Sequence, residues 1–311
     1  MTMKRKLGAA SFAVLSAVAL VAVPQASADV RAAACATVAV FETDGYNSGE
    51  TLSSWRASAF NQNPPAGYEI VEVPYYAGVF PVVDAQALDE SVANGAAELD
   101  AAVRRYHAAC PDTQLRLAGY SEGAVVAGEV LEMYANSTVI PHDKLSGTLY
   151  GNPRRSFGDG GRGGVAGGIE TNLPTFLPGV TMRGGRDFGD IPVRDVCNEN
   201  DGICNSTNMI TNLLAFANGL YGYAAGDHAY VLNPAVDTGA GLTLHPQAPR
   251  IGYGAPLPIP VGTPWQIQQL LGGASPRQAV VTARDSVESV LPASVLAQLQ
   301  SDPWYQLIAA A

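Results

Sequence analysis

The 311-residue chain carries 28 acidic groups against 18 basic ones, a formal charge of −10, with 47% apolar and 15% charged residues. An acidic surface is repelled by phosphate, which excludes a nucleic-acid partner, and the apolar content excludes an intrinsically disordered chain.

Residues 1–28 carry Lys4, Arg5 and Lys6, then an apolar run, then Ala26-Ser27-Ala28 before Asp29. A positive start, an apolar middle and a small-x-small exit predict a secretory signal peptide cleaved after Ala28. The alternative, an uncleaved membrane anchor, fits less well because the run is mostly Ala, Val and Ser. Cys35 lies well past the run with no Leu-containing lipobox before it, which argues against a lipid anchor there. Loss of the three basic residues takes the formal charge from −10 to −13. About 280 residues remain, enough for one large domain with a sizeable core. Residues 29–232 read as that domain and residues 233–311 as a Pro-rich extension with short helices packed on it.

Thr37-Val38-Ala39-Val40-Phe41 predicts a first strand, and Glu42-Thr43-Asp44-Gly45 the loop after it. Glu69-Ile70-Val71-Glu72-Val73 alternates as a second strand, ended by Pro74. Tyr75-Tyr76-Ala77-Gly78-Val79-Phe80-Pro81 is aromatic enough to cover the core or line a site. Between Asp89 and Ala109, Val92, Ala96, Leu99, Val103 and Tyr106 mark one face of a helix.

Leu115 and Leu117 then lead a short buried strand into Gly119-Tyr120-Ser121-Glu122-Gly123, behind which Ala124, Ala127, Gly128, Leu131 and Met133 have the composition of a helix packed closely on a sheet. This is a G-x-S-x-G nucleophile elbow in its required strand-turn-helix context, with a turn serine capping a helix as the plainer reading. The β-α-β repetition predicts an α/β fold, a three-layer sandwich around a mostly parallel sheet. Gly147-Thr148-Leu149-Tyr150-Gly151 is a further strand. Residues 158–168 form a Gly-rich excursion and, with the proline-broken Leu173-Pro174-Thr175-Phe176-Leu177-Pro178, suggest an insertion or lid over the site. Ile191-Pro192-Val193-Arg194-Asp195-Val196 reads as the last central strand. Residues 266–271 and 285–299 read as short amphipathic helices.

Cys35, Cys110, Cys197 and Cys204 are an even set in an exported chain, which predicts two disulfides with three possible connectivities. Cys197 with Cys204 is the simplest short bridge, and Cys35 and Cys110 each precede a strand that could neighbour the other. Zinc is the rival, but neither pair has C-x2-C spacing and no H-x3-H partner exists. The Cys197–Cys204 loop also fails as a calcium loop, because alignment on Gly202 puts Cys197 at the first ligand.

A serine hydroxyl needs a base, and the base an orienting carboxylate. The order serine, acid, histidine leaves His142, His228 and His245. His142 falls on the connection after the elbow helix and His245 in the extension, so His228, in a loop after the last expected strand, is the candidate base. Asp201, inside the short cysteine loop, is the candidate acid, with Asp187, Asp190, Asp195, Glu199 and Asp227 as alternatives.

The elbow, the Cys197–Cys204 loop carrying Asp201, and His228 with Tyr230 behind it resemble the cutinase-like serine hydrolases. Val73-Pro74-Tyr75-Tyr76-Ala77 and Leu88-Asp89-Glu90-Ser91-Val92-Ala93-Asn94-Gly95 resemble more closely the PE-PPE-domain branch of exported actinobacterial proteins. The resemblance covers residues 37–230. It implies an α/β-hydrolase sheet, a triad of Ser121, Asp201 and His228, no cofactor or metal, and action on acyl esters, some members being envelope-lipid acyltransferases. It also implies an oxyanion donor at the Glu122 backbone N–H, although Glu122 stands where glutamine is usual. Glu42-Thr43-Asp44-Gly45 matches the usual second-donor loop poorly, with Thr43 and Asp44 as candidates.

The expectation is therefore a serine esterase, secreted or at the cell envelope, acting on a small-molecule or lipid ester and making peripheral contact with envelope lipid. The alternatives are an acyltransferase acting on glycolipids such as acyl trehaloses, and a non-catalytic envelope-binding protein on a hydrolase scaffold.

Overall fold

The computed structural model describes residues 35–79, 85–156, 166–256 and 293–300. The expected signal peptide, residues 80–81 of the aromatic stretch, residues 158–165 of the Gly-rich excursion and the expected helix at 266–271 lie outside the described residues. Of the amphipathic segment expected at 285–299, a helix at Ala293–Gln300 is described.

Among the described residues, β1 (Val38–Thr43), β2 (Tyr68–Glu72), β3 (Gln114–Tyr120), β4 (Leu145–Tyr150), β6 (Val193–Asn198) and β8 (Gly241–His245) form one sheet in the order β2-β1-β3-β4-β6-β8. Every adjacent pair is parallel. A parallel sheet must be covered on both faces, and the alternation of side chains along each strand supplies both covers. Val40 of β1 enters a core with Trp55 of α1 (Ser53–Arg56), Phe60 of α2 (Ala59–Gln62), Tyr150, Val196 and Leu232. Its neighbours Ala39 and Phe41 enter the other core, with Leu99 and Val103 of α3 (Leu88–Ala109) and Val126, Val130 and Leu131 of α4 (Glu122–Ala135). Each large apolar side chain buried in this way contributes about 1.5–3 kcal/mol.

Two findings revise the reading of the sequence. The strand expected to be the last central one, β6, is flanked by an edge strand that was not expected: β8, from the segment read as a Pro-rich extension, pairs along β6 from Arg194↔Gly241 to Asn198↔His245. The end of the Gly-rich excursion is ordered, since β5 (Ala166–Gly167) pairs antiparallel with β7 (Ser206–Thr207) and leads into α5 (Ile169–Asn172), whose Glu170, Thr171 and Asn172 are buried. The segment read as a lid is tied to the start of α3. The Gly179 carbonyl accepts from the Asp89 N–H (2.9 Å), and the Asp89 carboxylate accepts from the Thr181 N–H (3.1 Å) and hydroxyl (2.7 Å).

Both disulfides have the expected pairing. Cys35–Cys110 joins the chain just before β1 to the end of α3, with a Cα–Cα distance of 5.6 Å. It closes a loop of sequence separation 75, which in the chain-entropy picture is worth about 4 kcal/mol. Cys197–Cys204 closes a loop of separation 7 at the end of β6. Among the described residues, no helix is long and apolar enough to cross a membrane.

Candidate active site

The register aligns Thr43 with Gly119 and Tyr120 with Tyr150, so β1, β3 and β4 end together and the loops beyond them share one edge. Ser121 sits at that edge between β3 and α4, with φ 56° and ψ −120°. A non-glycine residue held there costs on the order of 1–3 kcal/mol and persists only where its surroundings over-determine it. They do so here. The Ser121 N–H donates to the Tyr150 carbonyl (2.9 Å), and the Ser121 carbonyl accepts from the Ala124 N–H (2.9 Å). A Cβ on Gly123 would lie 2.2 Å from the Thr43 carbonyl oxygen, so only glycine lets α4 pack this closely on β1. The hydroxyl is thereby presented at the positive end of the α4 dipole.

The loop after β6 and the turn after α6 (Leu213–Gly222) bring the other two side chains to this hydroxyl. His228 Nε2 lies 2.8 Å from Ser121 Oγ, and His228 Nδ1 lies 2.7 Å from Asp201 Oδ2. Asp201 is fully buried and His228 is 8% exposed. The Asp201 rotamer is fixed by the Ile203 N–H on Oδ1 (2.9 Å) and the Tyr230 hydroxyl on Oδ2 (2.5 Å). The imidazole stacks on the Tyr120 ring at 5.2 Å, and Tyr223 approaches it at 5.1 Å. The Tyr120 hydroxyl donates to the His228 carbonyl (2.8 Å), while Asn198 Nδ2 donates to the carbonyls of Asp227 (2.7 Å) and Ala229 (3.0 Å).

The alternative acids and bases have other partners. Asp227 is held by Arg250 and Gln247, and the Arg250 guanidinium holds its carboxyl below the usual carboxylate range. Asp190 pairs with His142 (2.5 Å), Asp195 accepts from Asn152 (2.8 Å), Glu199 from the Gln247 N–H (3.0 Å) and Asp187 from the Gly189 N–H (2.9 Å). His245 is exposed at the end of β8. Ser121, Asp201 and His228 are brought together; these others are not.

The residues expected around an oxyanion have partners of their own. Thr43 Oγ1 donates to the Gly123 carbonyl (2.8 Å), so its hydroxyl braces the elbow. The Asp44 carboxylate is turned back on its own loop, accepting from the N–H groups of Gly45 (2.7 Å) and Ser54 (2.8 Å). Burial raises its pKa from the ordinary aspartate value, and these bonds oppose the rise. Glu122 is 4% exposed, and its Oε1 accepts from Ser91 on α3 (2.6 Å), whose hydroxyl also takes the Gly78 N–H (2.9 Å). The Glu122 carboxylate therefore ties α4 to α3 through Ser91, which in turn holds the aromatic stretch.

Three contributors were not singled out from sequence. Gly45 passes so close that a Cβ there would lie 2.8 Å from Ser121 Cβ. The only signal for it was its place at the end of the turn. Tyr223, 46% exposed, flanks His228 and follows a helix whose Leu214, Leu220 and Tyr221 are also exposed. Arg250 reaches Asp227, beside His228, from beyond β8 without any sequence pattern to announce it. Among the described residues, no group of three or more His, Cys, Asp or Glu side chains could hold a metal ion.

A carboxylesterase Culp6 homologue of Corynebacterium glutamicum is 36% identical over 168 residues, covering 49% of this chain and 54% of that protein. An uncharacterized PPE family protein of Mycobacterium tuberculosis, PPE28, is 30% identical over 174 residues, 53% of this chain and 25% of that protein. The chain thus spans about half and a quarter of these relatives' lengths. Among solved structures, a cutinase-like protein from Cryptococcus sp. is 17% identical with a TM-score of 0.40, covering 64% of this chain and 98% of that one. The catalytic core of acetyl xylan esterase from Trichoderma reesei is 20% identical with a TM-score of 0.39, covering 61% of this chain and 95% of that one. The family model described as Cutinase matches residues 34–230, well over half of the chain, which therefore belongs to the cutinase family.

Proposed function

We propose that the protein is a serine esterase that cleaves acyl esters through an acyl-enzyme on Ser121. The observation that carries this reading is the hydrogen-bonded run Ser121 Oγ, His228 Nε2, His228 Nδ1, Asp201 Oδ2, with spacings of 2.8 and 2.7 Å, ending on a buried carboxylate. In this reading Ser121 Oγ attacks the ester carbonyl carbon and its proton passes to His228 Nε2. The carbonyl electron pair moves onto oxygen. When it returns, the bond to the leaving alkoxide breaks and His228 returns the proton to that group. Water, deprotonated by His228, then releases the acid and regenerates the serine.

The developing oxyanion is stabilised by backbone N–H groups aimed at it before the reaction begins. The Glu122 N–H at the start of α4 is one candidate. The Asp44 N–H is preferred for the second over the Thr43 hydroxyl, which is engaged on Gly123, and the Gly45 N–H, which is drawn to the Asp44 carboxylate.

The exposed rings and chains of Tyr46, Tyr76, Phe176, Leu177 and Tyr223 support an apolar acyl group as substrate, since lipidic ligands are recognised mainly by apolar area. Both disulfides suit an oxidising, extracytoplasmic setting and support export behind the expected signal peptide.

The test is fluorophosphonate labelling of the wild type, Ser121→Ala and His228→Ala, followed by turnover of p-nitrophenyl esters of increasing chain length. Labelling abolished in Ser121→Ala, with ester turnover lowered at least about a thousandfold in both variants, is the expected result. A Ser121→Ala protein that still turns over esters overturns the reading. Product analysis with and without trehalose then separates hydrolysis from transfer.

A further inference from the structure

Asp201 is served unequally by its donors. Oδ1 takes the Ile203 N–H, whereas Oδ2 takes both His228 Nδ1 (2.7 Å) and the Tyr230 hydroxyl (2.5 Å). The neighbours of that hydroxyl fix the direction of its single proton. The Asn198 N–H donates to the phenol oxygen (3.1 Å), and Cys204 Sγ, 3.1 Å away, belongs to a disulfide and has no proton to give. The carboxylate is the strongest acceptor within reach, so the phenol donates to Asp201. Burial, and the charge of Asp201, push the phenol pKa well above its ordinary value, so it remains a donor at any working pH.

Two donors on one oxygen compete for the same charge. A carboxylate that gives part of its charge to a phenol has less to stabilise an imidazolium. We propose that Tyr230 is a positioning residue of the Ser121–His228–Asp201 relay: its hydroxyl fixes the Asp201 rotamer and limits how strongly Oδ2 supports the positive charge that forms on His228. The inference rests on the esterase reading above.

The other groups around the imidazole leave that role to Tyr230. From β3, Tyr120 stacks on the ring but sends its hydroxyl to the His228 carbonyl, and Ser121 meets Nε2. From the turn after α6, Tyr223 offers its ring, and Asp227 turns its carboxylate to Arg250 and Gln247. From the β1 loop, Asp44 is bonded to Gly45 and Ser54. Among these, Tyr230 alone hydrogen-bonds to the carboxylate that His228 uses.

The test begins with Tyr230→Phe, which keeps the ring against Tyr120, Tyr150 and His228 and removes only the hydroxyl. With p-nitrophenyl butyrate, the acid limb of the kcat/KM profile should move to higher pH by about half a unit, because the undivided carboxylate stabilises the protonated base. The plateau should fall less than about tenfold. Site-specific 3,5-difluorotyrosine at position 230, a stronger donor of the same shape, should move the limb the other way and keeps the test available if the Phe variant does not fold.

A readout without turnover is the low-field proton NMR resonance of the His228 Nδ1–H, expected further downfield in Tyr230→Phe. An unmoved limb and an unmoved resonance, with only the melting temperature lowered, would overturn the proposal. If fluorophosphonate does not label wild-type Ser121, the esterase reading fails, and the resonance still reports on the contact itself.

Discussion

The two sides of the candidate site are built from different materials. The nucleophile side, β1, β3 and the start of α4, is held by sheet hydrogen bonds and by small residues that let backbones touch. The side of Asp201 and His228 has glycine contacts of its own, a Cβ on Gly222 lying 2.0 Å from the Asn200 carbonyl oxygen, and adds to them a web of buried polar side chains. Asn218 Nδ2 donates to Asn200 Oδ1 (3.0 Å), and its own Oδ1 accepts from the N–H groups of Arg250 and Ile251, both at 2.8 Å. Asn200 Nδ2 donates to the Ala248 carbonyl (2.8 Å), and Arg155 reaches the Cys204 carbonyl (2.7 Å) and Asn205 Oδ1 (3.0 Å). The first side is intolerant of added atoms, the second of removed ones as well, because an overfilled contact and an orphaned buried dipole both cost stability but respond to opposite changes.

The most damaging break of this contrast is Gly123→Ala. With 2.2 Å between the new Cβ and a backbone oxygen, relief requires moving β1 or α4, and a loss of more than about 3 kcal/mol is expected. Soluble yield and denaturant midpoint measure it; a variant of wild-type stability would mean that the elbow is more compliant than its contacts indicate.

A buried acid on the nucleophile side sharpens the comparison from the other direction. Glu42, fully buried on β1, accepts from Asn61 Nδ2 (2.7 Å), and burial pushes its carboxyl up to about 8, a rise that the Asn61 bond opposes. Because the folded-state value lies above the unfolded one, its contribution to stability is complete below about pH 4.5 and is lost as pH rises toward 8. Glu42→Gln should therefore match the wild type near pH 4. At pH 8 it should exceed the wild type by a few kcal/mol, since each pH unit between the unfolded and folded values is worth about 1.4 kcal/mol. Melting curves across that range decide the point, and a difference independent of pH would refute the assignment.

The smallest effect is expected on the polar side. Asn218→Ala orphans two N–H groups and removes the Asn218 donor from Asn200 Oδ1, for about 2 kcal/mol. Hydrogen exchange should accelerate at Arg250 and Ile251 and stay slow at Ala124 in the elbow. Equal acceleration at both would show that the two sides are not held independently.

The same contrast explains what could be read from the sequence. The elbow was legible because strand, turn and helix are contiguous, and because Gly119, Ser121 and Gly123 sit at fixed offsets. Asp201 was legible through the short cysteine spacing around it, and His228 through its order in the chain. β8 was not, since Gly241-Leu242-Thr243-Leu244-His245 is a short, partly exposed edge strand among loop residues and reads like them. The contacts of Arg250 with Asp227 and of Tyr230 with Asp201 join side chains 23 and 29 residues apart and leave no periodic trace. The second oxyanion donor depends on which way a few peptide groups face, which residue type does not encode.

The place of β8 at the edge of the sheet has a consequence in time as well as in space. A growing chain that has reached Tyr150 already includes β1, β3, β4 and the whole elbow, but neither Asp201 nor His228 yet exists. The loop of Asp227 and His228 gains its ties to Gln247 and Arg250 only when these have emerged, after β8. Ser121 is thus made early and His228 late, and a half-made molecule carries the Ser121 hydroxyl without the imidazole it later meets.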